Sequence, residues 1–356
     1  MKITHILNSL KGGGIQNFIL SLAPEQVKLG CDVSIVVIDK DQYDYSLHLK
    51  RILENRGVKV SYLNKALHSK ISFLKTLIQC RHLICRNTPD IVNTHGEMSH
   101  IYGAFSTMGT SSKHFVTIHN GPEHWNLLNR ILNNKKSLIF CSQAAFNLRV
   151  QKNNNFKVID NGISPEIVKT KKQTDIRSEL HLKASDKIVV LVGSLRPQKN
   201  YTFLKEIVNE LKNDSIHFCV CGGNYGKGYI SVDEFKSCKT IHFLGLRSDV
   251  SAIENSADLF LSCSTFEGLP IAVLESFYNG IPCVLSPIEQ HINIANVPWC
   301  WIPNDFNASS FVSAINEALQ CNLDHEEIYL ERLPVIKKYS ITDSAKKYIE
   351  FYKEKL

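Results

Sequence analysis

Two carboxylates eight residues apart, Glu267 and Glu275, flank the run Gly268-Leu269-Pro270-Ile-Ala-Val-Leu. Carboxylate oxygens accept hydrogen bonds from sugar and ribose hydroxyls. The Gly268–Leu269 backbone, at the start of the helix that Pro270 opens, supplies N–H donors and the positive end of a dipole for phosphate. A pair so placed could hold a ligand both hydroxyl-rich and phosphorylated. Earlier in the chain, Gly193-Ser194-Leu195-Arg196-Pro197-Gln198-Lys199-Asn200 puts two cations, Arg196 and Lys199, in one strand-to-helix loop. They could neutralise a departing diphosphate without a metal. His95 and His119 each close a strand pattern, where open α/β sheets place ligands. An ordinary βα unit with solvated glutamates and a solvated basic loop would show the same spacing, so spacing alone leaves the choice open.

The elements that must position these residues are legible as alternating apolar strands and helical periods. Residues 2–7 form a strand, the glycines Gly12, Gly13 and Gly14 a loop, and 15–29 a helix in which Pro24 is a candidate kink. A strand follows at 31–38. Residues 65–87 carry Leu67, Ile71, Leu74, Leu77, Ile78 and Leu83 at helical spacing, interleaved with Lys65, Lys70, Lys75, Arg81 and Arg86. That helix either covers a sheet or offers a basic amphipathic face to anionic lipid. Further strands are expected at 90–94, 114–118, 137–142, 187–192, 216–221, 258–262 and 282–285. Gly222-Gly223-Asn224 marks a close backbone approach. Helices are expected at 203–211, from Pro270 until Gly280 stops it, and at 341–355.

Several of these stretches resemble retaining glycosyltransferases of family 4, which have the two-Rossmann-domain GT-B fold. Glu-Gly-Leu-Pro-Ile-Ala-Val-Leu-Glu is similar to their Glu-x7-Glu motif, and Phe243-Leu244-Gly245-Leu246-Arg247-Ser248-Asp249-Val250 to their F-L-G-x-x-x-D-V. Gly13-Gly14-Ile15-Gln16-Asn17 resembles their opening, and Val158-Ile159-Asp160-Asn161-Gly162-Ile163 the segment before their interdomain crossing. The resemblance implies that Glu267 contacts the transferred sugar and Glu275 the ribose. It implies that backbone near Leu246 and Arg247 flanks the nucleobase, and that His119 meets the sugar; His95 is a weaker candidate. Gly13 and Gly14 would lie near donor phosphates and acceptor. One departure stands out: the family's G-R-L-x-x-x-K-N/G arginine position holds Ser194, with Arg196 displaced by two and Lys199 in place.

The expected fold is therefore α/β, two Rossmann-like domains facing across a cleft. The acceptor-binding domain would be 1–165 and the donor-binding domain 166–338. Helix 339–356 would cross back to the first. The expected activity is transfer of a sugar from a nucleoside diphosphate, most simply UDP, to a hydroxyl of a glycan or lipid-linked acceptor in bacterial-type surface polysaccharide synthesis. No cofactor and no metal are expected, since no histidine pair has metal-ligand spacing and Asp39-Lys40-Asp41 is too short to specify one. An NAD site would need glycine at Asn17, with Asp39 as its acid. A sugar-nucleotide 2-epimerase, or a catalytically idle partner subunit of a glycosylation complex, would fit the same architecture.

Of the 356 residues, 1–165 carry 20 basic and 10 acidic side chains, a balance of +10, and the remainder 21 and 24, a balance of −3. The basic half points to an acidic partner, an anionic membrane surface or phosphorylated acceptor, while no aromatic-and-basic motif accompanies it for nucleic acid. No apolar run is long enough to span a membrane, the start lacks a signal-peptide pattern, and the eleven cysteines are scattered. A cytoplasmic protein, peripheral on the inner face of the plasma membrane, is the expectation.

Overall fold

The computed structural model describes every residue except 12, 41–43, 67–68, 120–124, 150–152, 166–173, 224–227 and 322–323. Gly12, Asp41, Leu67, Asn224 and the expected domain junction at 165/166 touch or lie outside the described residues. The chain clusters into two compact units, Met1–Gly162 with Ser340–Leu356, and Ile163–Tyr339.

The first unit alternates β1 (Lys2–Leu7), α1 (Gly14–Lys28), β2 (Asp32–Asp39), α2 (Asp44–Asn55), β3 (Lys59–Lys65), α3 (Lys70–Asn87), β4 (Ile91–His95), α4 (Glu97–Thr107), β5 (Lys113–Ile118), α5 (Leu127–Asn133), β6 (Ser137–Phe140), α6 (Gln143–Asn147) and β7 (Phe156–Val158). All seven strands are parallel, in the order β3-β2-β1-β4-β5-β6-β7. Strands buried on both faces need unbroken apolar runs; Ile35, Val36, Val37 and Ile38 of β2 are all buried. Right-handed crossovers set α1 and α2 on one face and α3, α4 and α5 on the other, because the order reverses at β1/β4. Helix α1 runs through Pro24.

The expected helix over 65–87 is corrected at its start. Lys65 ends strand β3 and pairs with Asp39 at 2.8 Å. Ser69 then caps α3 by accepting from Ser72 N–H. The helical spacing of Lys65 with Lys70 is coincidental; pairing β2 with β3 brings Lys65 beside Asp39. Asp39, the candidate NAD acid, is thereby held by a lysine.

The second unit comprises α7 (Ile176–Glu179), β8 (Lys187–Val192), α8 (Tyr201–Leu211), β9 (Ile216–Cys221), β10 (Ile241–Gly245), α9 (Val250–Asn255), β11 (Leu259–Ser262), α10 (Ile271–Tyr278), β12 (Cys283–Leu285), α11 (Glu289–Ile292), β13 (Cys300–Trp301), α12 (Ala308–Gln320) and α13 (His325–Lys338). Its six strands are parallel too, ordered β10-β9-β8-β11-β12-β13. Ile188, Val190, Phe260, Leu274 and Phe277 pack on one side of the sheet; Val189, Leu191, Leu204, Phe218 and Phe311 pack on the other. Gly280 takes φ +62°, and a Cβ there would stand 1.7 Å from the His325 carbonyl oxygen, so α10 can end on nothing larger.

Helix α14 (Ile341–Lys353) belongs to the first unit, packed on α1. Tyr348 and Tyr352 are fully buried, and Asn93 Nδ2 donates to Tyr352 Oη at 2.6 Å. Among the described residues no helix is long and apolar enough to cross a membrane.

Candidate functional site

In the second unit the chemistry gathers at the C-terminal ends of β8 and β11. Strand β8 breaks at Gly193, and a short 3-10 turn, Pro197–Lys199, delivers Lys199 back over that glycine. A Cβ at Gly193 would lie 2.7 Å from Lys199 Cε, and one at Gly222 would lie 1.8 Å from the Gly193 oxygen. Gly193 therefore makes room for the lysine stem, and Gly222 for the Gly193 backbone. Lys199 Nζ donates to Glu267 Oε1 at 2.6 Å, and Ser264 Oγ donates to the same oxygen at 2.6 Å. Gln198 ties the two loops together. Its carbonyl accepts from Thr265 N–H at 2.9 Å, and its Nε2 donates to the Phe266 oxygen at 3.0 Å and to Glu267 Oε2 at 3.4 Å.

Glu267 is buried. Burial alone would raise its pKa, but the charge of Lys199 and the hydrogen bonds from Lys199 and Ser264 outweigh it and hold the carboxyl below its ordinary value. Behind it lies a group that the sequence motifs did not point to. His291 of α11 is fully buried, donates from Nδ1 to the Ser286 oxygen at 3.0 Å, and has Nε2 3.5 Å from Ser262 Oγ. Ser262 Oγ in turn lies 3.3 Å from Ser264 Oγ, and Ser286 Oγ donates to the Ser264 oxygen at 2.6 Å. Burial lowers the His291 pKa to about 4, against the raising effect of Glu267. The loop before α10 is thus fixed from beneath by a neutral imidazole and two serines.

Pro270 is the residue just before α10 rather than inside its first turn, with Gly268 and Leu269 ahead of it. Glu275 lies on α10, half-buried. Its neighbour Glu254 on α9 is buried and accepts from Asn279 Nδ2, while Asn279 Oδ1 accepts from Ser251 at 2.9 Å. Burial, then the charge of Glu275, push the Glu254 pKa well up. Arg196 points elsewhere: its Nε donates to Tyr229 Oη at 3.1 Å, with the guanidinium over the same ring. The structure brings Lys199, Glu267 and Gly193 together and leaves Arg196 apart from them.

Arg247 proves to be a tether. It grips Asp249 at 2.8 and 2.9 Å and Glu179 of α7 at 2.7 and 3.0 Å, both bidentate. The hydrogen bonds to Asp249 and Glu179 raise its pKa. Arg247 is thereby left its backbone for a ligand role, while Leu246 is exposed.

In the first unit, Gly13 precedes α1 with φ +134°, and a Cβ at Gly14 would meet nothing within 4 Å. In the same unit a row of imidazoles crosses from β1 through β4 to the end of β5. His5 Nε2 binds Gln26 Oε1 at 2.8 Å and His5 Nδ1 meets His95 Nε2 at 3.0 Å. His95 Nδ1 meets His119 Nε2 at 2.8 Å, and His119 Nδ1 meets Asn161 Nδ2 at 3.2 Å. With Gln26 Oε1 accepting and Asn161 Nδ2 donating, every link closes if each ring is neutral and protonated at Nε2. Burial lowers the His5 pKa to about 4 and that of His95 well below its usual value, the neighbouring imidazoles adding to the latter. His119 is buried with both ring nitrogens engaged inside this unit. The signal available in sequence was only that each of His5, His95 and His119 lies in or just past an apolar strand pattern; their contact needs the order β1-β4-β5 and a register that staggers them by two residues per strand. Among the described residues no group of three or more His, Cys, Asp or Glu is placed to hold a metal ion.

Two parallel-sheet Rossmann-like units of this kind make the GT-B architecture. Residues 12–167 match the family model described as Glycosyltransferase Family 4, and residues 172–332 the one described as Glycosyl transferases group 1. The two models tile the chain, which is a GT-B glycosyltransferase. It is similar to the UDP-Gal:alpha-D-GlcNAc-diphosphoundecaprenol alpha-1,3-galactosyltransferase of Escherichia coli, 26% identical over 353 residues, covering 89% of this chain and 87% of the relative. A shorter match, 31% identical over 144 residues, covers 39% of this chain and 40% of the O-antigen biosynthesis glycosyltransferase WbnH of Escherichia coli. Among solved structures, Anabaena HepE in complex with UDP-glucose superposes with a TM-score of 0.80 at 17% identity, covering 99% of this chain and all of that one. At that identity the likeness speaks for the fold alone.

Proposed function

We propose that this chain is a retaining, metal-independent glycosyltransferase. It moves a sugar from a UDP-sugar to a hydroxyl of a lipid-linked glycan in bacterial-type surface polysaccharide synthesis. The observation that carries the reading is the ion pair of buried Glu267 with half-buried Lys199 at the end of a Rossmann strand, where the lysine and Ser264 hold the carboxyl below its ordinary pKa. The donor and acceptor classes rest on the name of the Escherichia coli relative and on the UDP complexes of HepE.

In the step proposed, the bond from C1 of the sugar to the β-phosphate oxygen breaks, and its electron pair leaves with the diphosphate. The acceptor oxygen bonds to C1 on the same face, and its proton passes to the departing phosphate oxygen. Glu267 orients the sugar hydroxyls and Glu275 the ribose. An ammonium has three donors, so Lys199 can hold Glu267 and still meet a phosphate oxygen. Arg196, swung from Tyr229, and the backbone N–H groups of Gly268 and Leu269 add to the charge stabilisation. Gly222 allows close backbone approach, and Leu246 and Arg247 flank the base through their main chain. Gly13 and Gly14 receive the acceptor, and His119 fixes the end of β5.

Thermal shift against UDP, GDP, their common sugars and NAD tests the donor, because a ligand of the folded state raises apparent stability. UDP species should shift the transition. A shift with GDP species or NAD alone would remove the donor assignment. Proton NMR of the product should show the donor's α-configuration kept; a β-linkage would exclude retention. Turnover unchanged by EDTA is expected, and donor conversion without acceptor would favour an epimerase.

A further inference from the structure

Helix α5 is built inside out. Its buried side chains are Asn129 and Asn133, while Leu127, Leu128 and Ile131 face solvent. The asparagines are used inward: Asn129 Nδ2 donates to the Glu97 oxygen at 3.1 Å at the start of α4, and Asn133 Nδ2 to Asn129 Oδ1 at 3.0 Å. A second helix shows the same outward apolar stripe. On α3, Thr76, Leu77, Cys80 and Ile84 face the protein, and Ile71, Leu74 and Ile78 are outside. The six aliphatic side chains are between 47 and 83% exposed. Helix α4 packs against both α3 and α5, so the two stripes flank it on one face of the sheet. Water does not reward such an arrangement, since each aliphatic group left out forgoes its burial.

Cations share the exposed faces. Lys70 and Lys75 lie on α3, Arg130 on α5 and Lys135 just beyond it, all exposed. Arg81, read in sequence as part of this set, instead turns inward and donates to the Phe105 and Met108 oxygens at 3.2 and 2.7 Å. Aliphatic side chains ringed by Lys and Arg match a bilayer with anionic headgroups, the apolar groups entering the acyl boundary and the cations meeting phosphate. We infer that the α3–α5 face seats this chain on an anionic membrane through Ile71, Leu74, Ile78, Leu127, Leu128 and Ile131. The inference stands apart from the donor chemistry and needs no sugar nucleotide.

The test is co-sedimentation of the full chain, without donor, with vesicles of phosphatidylcholine alone or mixed with phosphatidylglycerol. The wild type should bind the mixed vesicles, and more weakly as salt rises. The triple variant Leu127→Ser, Leu128→Ser, Ile131→Ser should bind about tenfold or more weakly, with its UDP thermal shift intact. Lys70→Glu with Lys75→Glu should lose binding to mixed vesicles only. No sedimentation of the wild type overturns the inference, as does a triple variant that binds like it. So does a concentration-dependent dimer that the same triple substitution converts to monomer, since the face would then belong to a second copy.

Discussion

Glu267 in the second unit and the histidine row in the first are buried by opposite means. The second keeps a charge, Glu267, and matches it with Lys199, Ser264 and Gln198. The first keeps His5, His95 and His119 in a row, bonded to one another and to the amides of Gln26 and Asn161. A carboxylate sealed from water stays ionised only beside a cation, and removal of that cation leaves a charge with nothing to answer it. An imidazole titrates near neutrality, so burial neutralises it at small cost. The charged unit is thus suited to receive developing negative charge, and the neutral one to hold strand ends in register without attracting counter-ions.

The sharpest break of this contrast is Lys199→Met. It should cost about 3–5 kcal/mol in denaturant unfolding, because Glu267 is left buried and unpaired. Adding Glu267→Gln should restore much of the stability but none of the transfer activity. A double variant no more stable than the single one would show that the pair is not what matters.

Acid should test the buried neutral imidazoles next. His5 has its folded pKa lowered to about 4, so between pH 6.5 and 4 the unfolded chain takes up a proton that the folded chain refuses. Stability therefore falls as pH drops through that window, by about 3 kcal/mol for this residue. His291 loses stability over the same range in the other unit. The stabilisation of Glu267, whose folded pKa is depressed, is present above its unfolded value and fades only as pH falls further, through its folded pKa. Unfolding free energies of His5→Gln measured from pH 7 to 4 should give a shallower slope than wild type; an equal slope would place the acid sensitivity elsewhere.

Gly222→Ala brings a methyl group against the Gly193 oxygen. About 2 kcal/mol of destabilisation is expected, with weaker donor binding by calorimetry as Gly193 and Lys199 shift. A neutral result would mean that β9 can retreat. The smallest stability effect is Arg196→Ala, within about 0.5 kcal/mol because the side chain is exposed. Its transfer rate should nevertheless drop about tenfold if the arginine swings to the diphosphate. An unaltered rate would leave Lys199 as the working cation of that loop.

Much of the frame was legible beforehand. Strands 187–192 and 216–221 match the sequence expectation to the residue, since parallel strands buried on both faces declare themselves as apolar runs. Gly280 announced the end of α10, since its φ of +62° suits little else. The start of α3 is not where periodicity puts it, because Lys65 and Lys70 share a helical spacing that their real elements do not. The Arg247 side chain, on which the expectation of backbone beside a nucleobase says nothing, is committed to Glu179, a partner 68 positions away.

What the chain determined alone was local: the βα rhythm, the glycine turns, and a glutamate set just ahead of a helix. These follow from period, from φ and from steric limits that near neighbours impose. Tertiary structure decided which distant groups would meet. Strand order β1-β4-β5 lined up three histidines from positions 5, 95 and 119, and the meeting of the β8 and β11 loops gave Glu267 its lysine. It also turned the asparagines of α5 inward and its leucines out, which no reading of hydrophobicity would choose. Hydrogen bonds and ion pairs depend on distances of about 3 Å, and only the folded arrangement sets those.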